Sequence, residues 1–287
     1  MDLITLPHLL NGLLMLAIPI GLAIFLTNRW KVGSRIWWIG ATTFILSQIG
    51  HIPFNWLAGK LLNQTALAFW APTYQLIFNS FFLGISAGMF EEGARYLVMR
   101  WWAKDVRSWR KGVLFGAGHG GMEAIILGLI TLYSFLQLLA LRNADLSSLL
   151  PANQLMAAQH QVQAYWSATW YESLLGALER LFTIPCQIAM ALLVMQVFTR
   201  KNNAWLFLAI GYHALLDGTA VVAQKYLLPV GVEGLVGFFA IVSVFIIIFL
   251  YRSEPQEAIL KPIPVVGLSR TEPVQETPDN LEQTRYQ

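Results

Sequence analysis

Charge is scarce in this chain. Aspartate, glutamate, lysine and arginine make up 12% of its residues, about half the ~25% of an ordinary soluble domain. Cysteine is nearly absent: Cys186 stands alone in an apolar stretch, which excludes a disulfide-stapled secreted scaffold. No basic residue precedes the first apolar run and no small-residue cleavage motif follows it. That run therefore reads as a transmembrane helix and not as a removable signal peptide. What is abundant is hydrocarbon. Hydrophobic residues make up 56% of the chain and the mean hydropathy is +0.55. They come in runs long enough to cross a bilayer, so the expected class is an all-α, multi-pass membrane protein.

The polar end separates first. Residues 252–287 hold five prolines and six acids against four basic residues, and read as a disordered cytoplasmic tail. In the remaining 1–251, seven spans are expected, roughly 8–27, 36–58, 73–99, 112–140, 168–199, 204–223 and 233–251. The third to fifth exceed the bilayer thickness, which implies tilt or extension beyond it. The connection 142–167 reads as a loop with an interfacial helix. Trp37, Trp38, Trp101, Trp102, Trp166 and Trp205 fall near proposed span ends, where amphipathic rings prefer to lie.

The basic residues orient the bundle. Fourteen of the nineteen lysines and arginines fall in the tail or in segments 28–35, 100–111 and 200–203, whereas the alternate connections hold only Lys60, Arg142 and Lys225. By the positive-inside rule this places the N-terminus outside and the tail in the cytoplasm, and requires an odd number of spans. The expected setting is a bacterial cytoplasmic membrane. The pI near 9.0 then reports topology, and no nucleic-acid partner is expected.

Ionisable residues nevertheless remain inside the spans, where each costs roughly 2.5–3.5 kcal/mol at helix centre. Glu91, Glu92 and Arg95 lie in the third span, His119 and Glu123 in the fourth, Glu172, Glu179 and Arg180 in the fifth, and His213 and Asp217 in the sixth. Glu91 is nine residues before Arg100, His119 eight after Lys111 and His213 twelve after Lys201. At 1.5 Å per residue all three lie roughly 12–18 Å from the cytoplasmic edge. Glu91 and Arg95, His119 and Glu123, and His213 and Asp217 are each four residues apart, on one helix face. A carboxylate so placed can hold one ring nitrogen of a histidine and leave the other for a reactant. Polar glue between helices would account for one such pair. Three at one depth point to a water-activating site, either a glutamate base with histidines on an oxyanion or a metal. The glycines around His119 fit close backbone approach as well as a crowded site.

The ordered motifs Glu91-Glu92-x-x-Arg95, Phe115-x-x-x-His119 and His213-x-x-x-Asp217 resemble those of the CAAX-protease and bacteriocin-processing (CPBP, or Abi) superfamily of intramembrane proteases. The wording around them, with Glu179-Arg180 in the next span, more closely resembles the YhfC family of membrane peptidases. The resemblance covers about 85–220. It implies an intramembrane protease acting on a peptide or membrane-protein substrate. Glu91 or Glu92 would be the water-activating base, His119 and His213 polarising or oxyanion residues, Arg95 the holder of the glutamate pair, and Asp217 a supporting group. A zinc ion held by His119, His213 and Glu92, with water as fourth ligand, is the metal-dependent form of the same expectation. Two departures stand out. The superfamily has three residues between Glu-Glu and Arg where this chain has two, and YhfC-like sequences carry a histidine where this chain has Gln187.

Other protease chemistries lack their motifs. There is no His-Glu-x-x-His and no Gly-x-Gly-Asp. Ser86 reads as a packing residue, Cys186 as a buried structural thiol, and His51 as a hydrogen-bonded core histidine. Two other classes use similar residues. One is a proton-coupled transporter, for which no internal repeat is found. The other is an inactive relative acting as a membrane chaperone or regulator, motivated by Gln187.

Overall fold

The structure, a computed structural model, describes residues 4–253. The expected disorder of the tail falls outside the described residues, apart from Arg252 and Ser253 at the end of the last helix. Among the described residues the secondary structure is helical throughout. The long helices are α1 (Thr5–Trp30), α2 (Arg35–Leu62), α3 (Pro72–Trp101), α4 (Trp109–Leu141), α7 (Leu175–Thr199), α8 (Ala204–Tyr226) and α9 (Pro229–Arg252). Between α4 and α7 lie the short α5 (Leu146–Leu149) and the amphipathic α6 (Ala152–Ser167), so the helix expected in the 142–167 connection is present.

The seven expected segments each correspond to a long helix, with ends shifted by a few residues. The fifth differs most. Its first part is a 3-10 turn, Glu172–Leu174, and the α-helix begins only at Leu175. Glu172 is half-buried and accepts hydrogen bonds from the Thr169 amide (2.9 Å) and hydroxyl (2.7 Å). It caps the turn at the very start of that segment. Among the described residues, five helical segments are long and apolar enough to cross a membrane: α1, α4, Glu172–Thr199, α8 and α9. Helices α2 and α3 are as long but fall short in apolarity. Gln48, His51 and Asn55 interrupt α2, and Glu91, Glu92 and Arg95 interrupt α3.

Helix α4 is the hub. It packs on α1, α2 and α7, while α3 packs on α8 and α7 on α9. The apolar core lies toward the basic connections and is built from residues such as Trp37, Met99, Leu114, Phe115, Leu192 and Met195. The α3–α4 loop tucks into it through Ala103 and Val106, both fully buried. Arg107 Nη2 donates to the Met99 carbonyl (2.8 Å) and Trp109 Nε1 to the Ile247 carbonyl (3.0 Å). In that loop burial opposes ionisation of Asp105, but the Lys111 hydrogen bond and charge and the Arg35 charge outweigh it and hold the carboxyl below its ordinary range. Trp37 departs from the expected interfacial belt. It is 5% exposed and packs in the core against Gly121, whereas Trp38 and Trp101 are exposed.

Backbone contact between α2 and α4 sets the depth of the site. A Cβ at Gly118 would stand 2.0 Å from the Trp37 carbonyl oxygen, and one at Gly40 2.0 Å from the Phe115 carbonyl oxygen. Both obstacles are backbone, so neither can rotate away. Gly118→Ala is therefore expected to push α2 from α4 and to cost about 1–3 kcal/mol or more, the scale of overpacking. A thermal melt in detergent checks this, and an unchanged midpoint would show that the two helices tolerate separation.

Candidate active site

Helix α3 carries the acidic centre. Its interior polar stretch puts Glu91, Glu92 and Arg95 within one turn, all buried (7%, 0% and 0% exposed). Adjacent residues on a helix point about 100° apart, so the two glutamates meet different neighbours. Glu91 Oε2 lies 3.0 Å from His119 Nε2 of α4, 3.6 Å from Arg95 Nη2 and 4.0 Å from His213 Nε2 of α8. Its Oε1 accepts from Gln48 Nε2 of α2 at 3.0 Å. Glu92 Oε1 accepts from Arg95 Nη1 and lies 2.8 Å from His213 Nδ1. Four helices thus meet at one carboxylate pair.

A second chain of contacts leads away from it. Arg95 Nη2 donates to Gln187 Oε1 of α7, and Gln187 Nε2 donates to Glu123 Oε2 of α4 at 2.7 Å. Glu123 also accepts from Arg180 Nη1 at 2.8 Å, and Arg180 Nη2 donates to Glu179. Every group in this series is charged or amide, so it forms one continuous polar seam between α3, α7 and α4.

The four expected catalytic residues therefore come together, and Arg95 holds both glutamates. One of the expected pairs is rearranged. Glu123 does not pair with His119, because it turns to Arg180 and Gln187 on α7. His119 instead reaches across to Glu91, with Phe44 edge-on to its ring at 5.3 Å. Asp217 lies 3.5 Å from His213 Nε2, while Nδ1 is held by Glu92. Glu92, and not the residue one turn along α8, is what fixes the other edge of the ring. Gln187 links Arg95 to Glu123 through both ends of its amide.

Sequence reasoning missed the α2 wall of the site. His51 Nε2 lies 3.2 Å from Ser86 Oγ and 2.8 Å from Asn55 Nδ2, and Ser86 Oγ donates to Asn55 Oδ1 at 3.0 Å. Ser86 is thus part of a hydrogen-bonded row and not merely packing, and His51 also stacks on Phe90. The signal was present: Gln48, His51 and Asn55 recur at the three-and-four spacing that places side chains on one helix face. Cys186 is buried and donates to the Phe182 carbonyl, as a structural thiol does.

Fold and site together define a multi-pass helical membrane protein with a buried carboxylate–imidazole–guanidinium centre. The family described as "YhfC intramembrane metalloprotease" matches residues 14–259, and the chain belongs to it. It is 30% identical over 244 residues to "Uncharacterized membrane protein YhfC" of Bacillus subtilis (strain 168), an alignment covering 83% of this chain and 93% of that protein. No solved structure matches it.

The family description implies a metal. Among the described residues, no group of three or more His, Cys, Asp or Glu side chains is arranged to hold one. The cause is local. Glu92 faces His213 Nδ1 and shares its oxygen with Arg95, while His119 and the other nitrogen of His213 face Glu91. The set His119, His213 and Glu92 does not converge on one point, so the residues as arranged do not fit that ion. His119 Nδ1 and Glu92 Oε2 are buried without a hydrogen-bond partner.

Proposed function

We propose that this protein is an intramembrane peptidase in which Glu91 activates a water for attack on a peptide bond. The observation that carries this reading is that two imidazole nitrogens, His119 Nε2 at 3.0 Å and His213 Nε2 at 4.0 Å, face one buried carboxylate oxygen, Glu91 Oε2. A base must reach its proton directly or through one water, and the donors to an oxyanion must lie beside it. The family description, an intramembrane protease, supports peptide-bond hydrolysis as the reaction. The substrate is a peptide or membrane protein. In full, the reading has seven spans, the N-terminus outside and the C-terminus in the cytoplasm, with α2 and α3 crossing the membrane as polar-faced helices shielded by their neighbours.

The steps use this chain's own side chains. Glu91 takes a proton from water as the water oxygen bonds to the peptide carbonyl carbon. The oxygen that becomes negative is stabilised by His119 and His213. The C–N bond then breaks, and Glu91 returns the proton to the leaving amine. Glu92 holds His213 by Nδ1, the Nε2 edge of that ring lies between Glu91 and Asp217, and Arg95 holds both glutamates in place.

His119→Ala is expected to lose about 2.7–4 kcal/mol of transition-state stabilisation, the scale of one oxyanion donor. Ser86→Ala should change turnover little. Both are measured as kcat/KM on a transmembrane peptide by the purified protein in liposomes. A chelator should leave the parental rate unchanged. Loss of activity with chelator and recovery with zinc would replace the glutamate mechanism by a metal one. Substrate flux without cleavage would replace the peptidase by a transporter.

A further inference from the structure

A groove of about 770 Å³ runs between α7 and α9, away from the glutamate–histidine centre. Its walls are hydrocarbon and glycine, with Leu181, Phe182 and Pro185 on one side and Phe238, Ile241 and Phe245 on the other. One ionisable residue interrupts them, Glu233. Glu233 is 9% exposed, and its Oε2 is buried without a hydrogen-bond partner. Arg180 is close enough to act on Glu233 electrostatically, as is Glu179, but its Nη atoms are already engaged by Glu123 and Glu179. Three carboxylates therefore surround one guanidinium, and Glu233 is the one without an ion-pair partner among the described residues.

A buried carboxylate is strongly disfavoured unless a cation or a hydrogen-bond donor meets it. The rest of the lining says what kind of cation fits. It offers no second oxygen donor, so a bare metal ion would find one carboxylate and a hydrocarbon wall, whereas hard cations take six or more oxygens. An ammonium group attached to a long alkyl chain matches both parts. Its N–H groups meet Glu233, and its chain lies along the groove. The dimensions agree with the chemistry. Glu233 is in the second turn of α9, near the end of that helix, and the groove continues to Phe245, about 18 Å further along the helix axis. A polar head near the span end and a tail toward mid-membrane is how a lipid is oriented in a bilayer. Gly234 keeps the α9 wall open, since a Cβ there would meet nothing within 4 Å, and Gly237 lets Phe182 of α7 approach closely.

We infer that the α7–α9 groove is a lipid-binding site selective for an aminophospholipid, with Glu233 as the acceptor for the headgroup ammonium. The site lies apart from the proposed catalytic centre, and binding there does not depend on proteolysis.

The test is lipid binding to the full-length protein in mild detergent, read by native mass spectrometry. Phosphatidylethanolamine and phosphatidylglycerol of the same acyl chains are titrated separately. Phosphatidylethanolamine is expected to bind at least ten-fold more tightly at the first site. Glu233→Gln should reduce that preference to less than three-fold. Gly234→Leu, whose Cβ enters open space, narrows the groove and should weaken binding of both lipids with little change in melting temperature. Equal affinity for the two lipids in the parental protein would overturn the inference, as would a preference retained in full by Glu233→Gln. If Glu233→Gln does not fold, Gly234→Leu decides: retention of the tight lipid by that variant would place the lipid elsewhere.

Discussion

Glu91→Gln is expected to abolish measurable turnover, a loss of about 10²–10⁴ in kcat for removal of a general base, while the protein still folds. The geometry explains why the fold survives. Gln is nearly isosteric with Glu, and the hydrogen bond from Gln48 needs an acceptor oxygen, which the amide retains. Arg95 stays paired with Glu92 and Gln187. What the amide cannot do is accept the water proton. Glu92→Gln should behave differently. Glu92 is the fully buried partner of Arg95 and of His213 Nδ1, so its loss removes a counter-charge from the interior. The expected result is reduced stability with partial activity. Parallel measurement of kcat and of the unfolding midpoint for the two variants separates these roles. Equal kcat for Glu91→Gln and the parental protein would remove Glu91 as the base. The reverse pattern, with Glu92→Gln inactive and well folded, would transfer the role to Glu92.

The sequence made the helices legible, because a membrane span is a run of apolar residues of fixed minimum length and little else produces one. It also made the four central residues legible, because charge inside such a run is costly and depth can be counted from the nearest basic cluster. Its limits were of two kinds. Spacing along one helix says which side chains share a face, but not which neighbouring helix faces them. Glu123 is one turn from His119, yet Arg180 and Gln187 on α7 offer it a cation and an amide donor, and it turns to them. Asp217 does meet His213 Nε2 from one turn away, but spacing gave no sign that Glu92 holds Nδ1 from another helix. The second limit is that neutral polar residues carry weak signals. Gln48, Asn55 and Ser86 cost less in a bilayer than a charge does, so they do not stand out in the sequence, although together with His51 they line the α2 side of the site. Helix starts were harder still. The Glu172 side chain bonds Thr169 and makes an irregular turn where apolarity alone suggested continuous helix.

Arg95→Ala is expected to have the largest effect on stability, about 3–5 kcal/mol, the cost of leaving a buried charge without its partner. The side chain is fully buried and belongs to both polar systems of the interior. Toward α8 it pairs with Glu92, which in turn holds His213. Toward α7 it donates to Gln187, which passes the connection to Glu123 and Arg180. Truncation therefore leaves the Glu92 charge with His213 as its one remaining partner and frees the Gln187 carbonyl in one step. Arg95→Lys should recover only part of the loss. An ammonium can neutralise one carboxylate, but it lacks the planar fork that meets Glu92 and Gln187 together. Coupling gives the sharper test. If the cost of Arg95→Ala comes from the Glu92 charge left without its guanidinium, then removing that charge as well should return stability. The double variant Arg95→Ala/Glu92→Gln should be more stable than Arg95→Ala alone, by 1 kcal/mol or more on the scale of interacting pairs. The readout is the unfolding midpoint of each variant in the same detergent. A double variant as unstable as the sum of its two singles would mean that Arg95 acts through packing and not through charge. The carboxylate pair would then be held by His119, His213 and Gln48 alone.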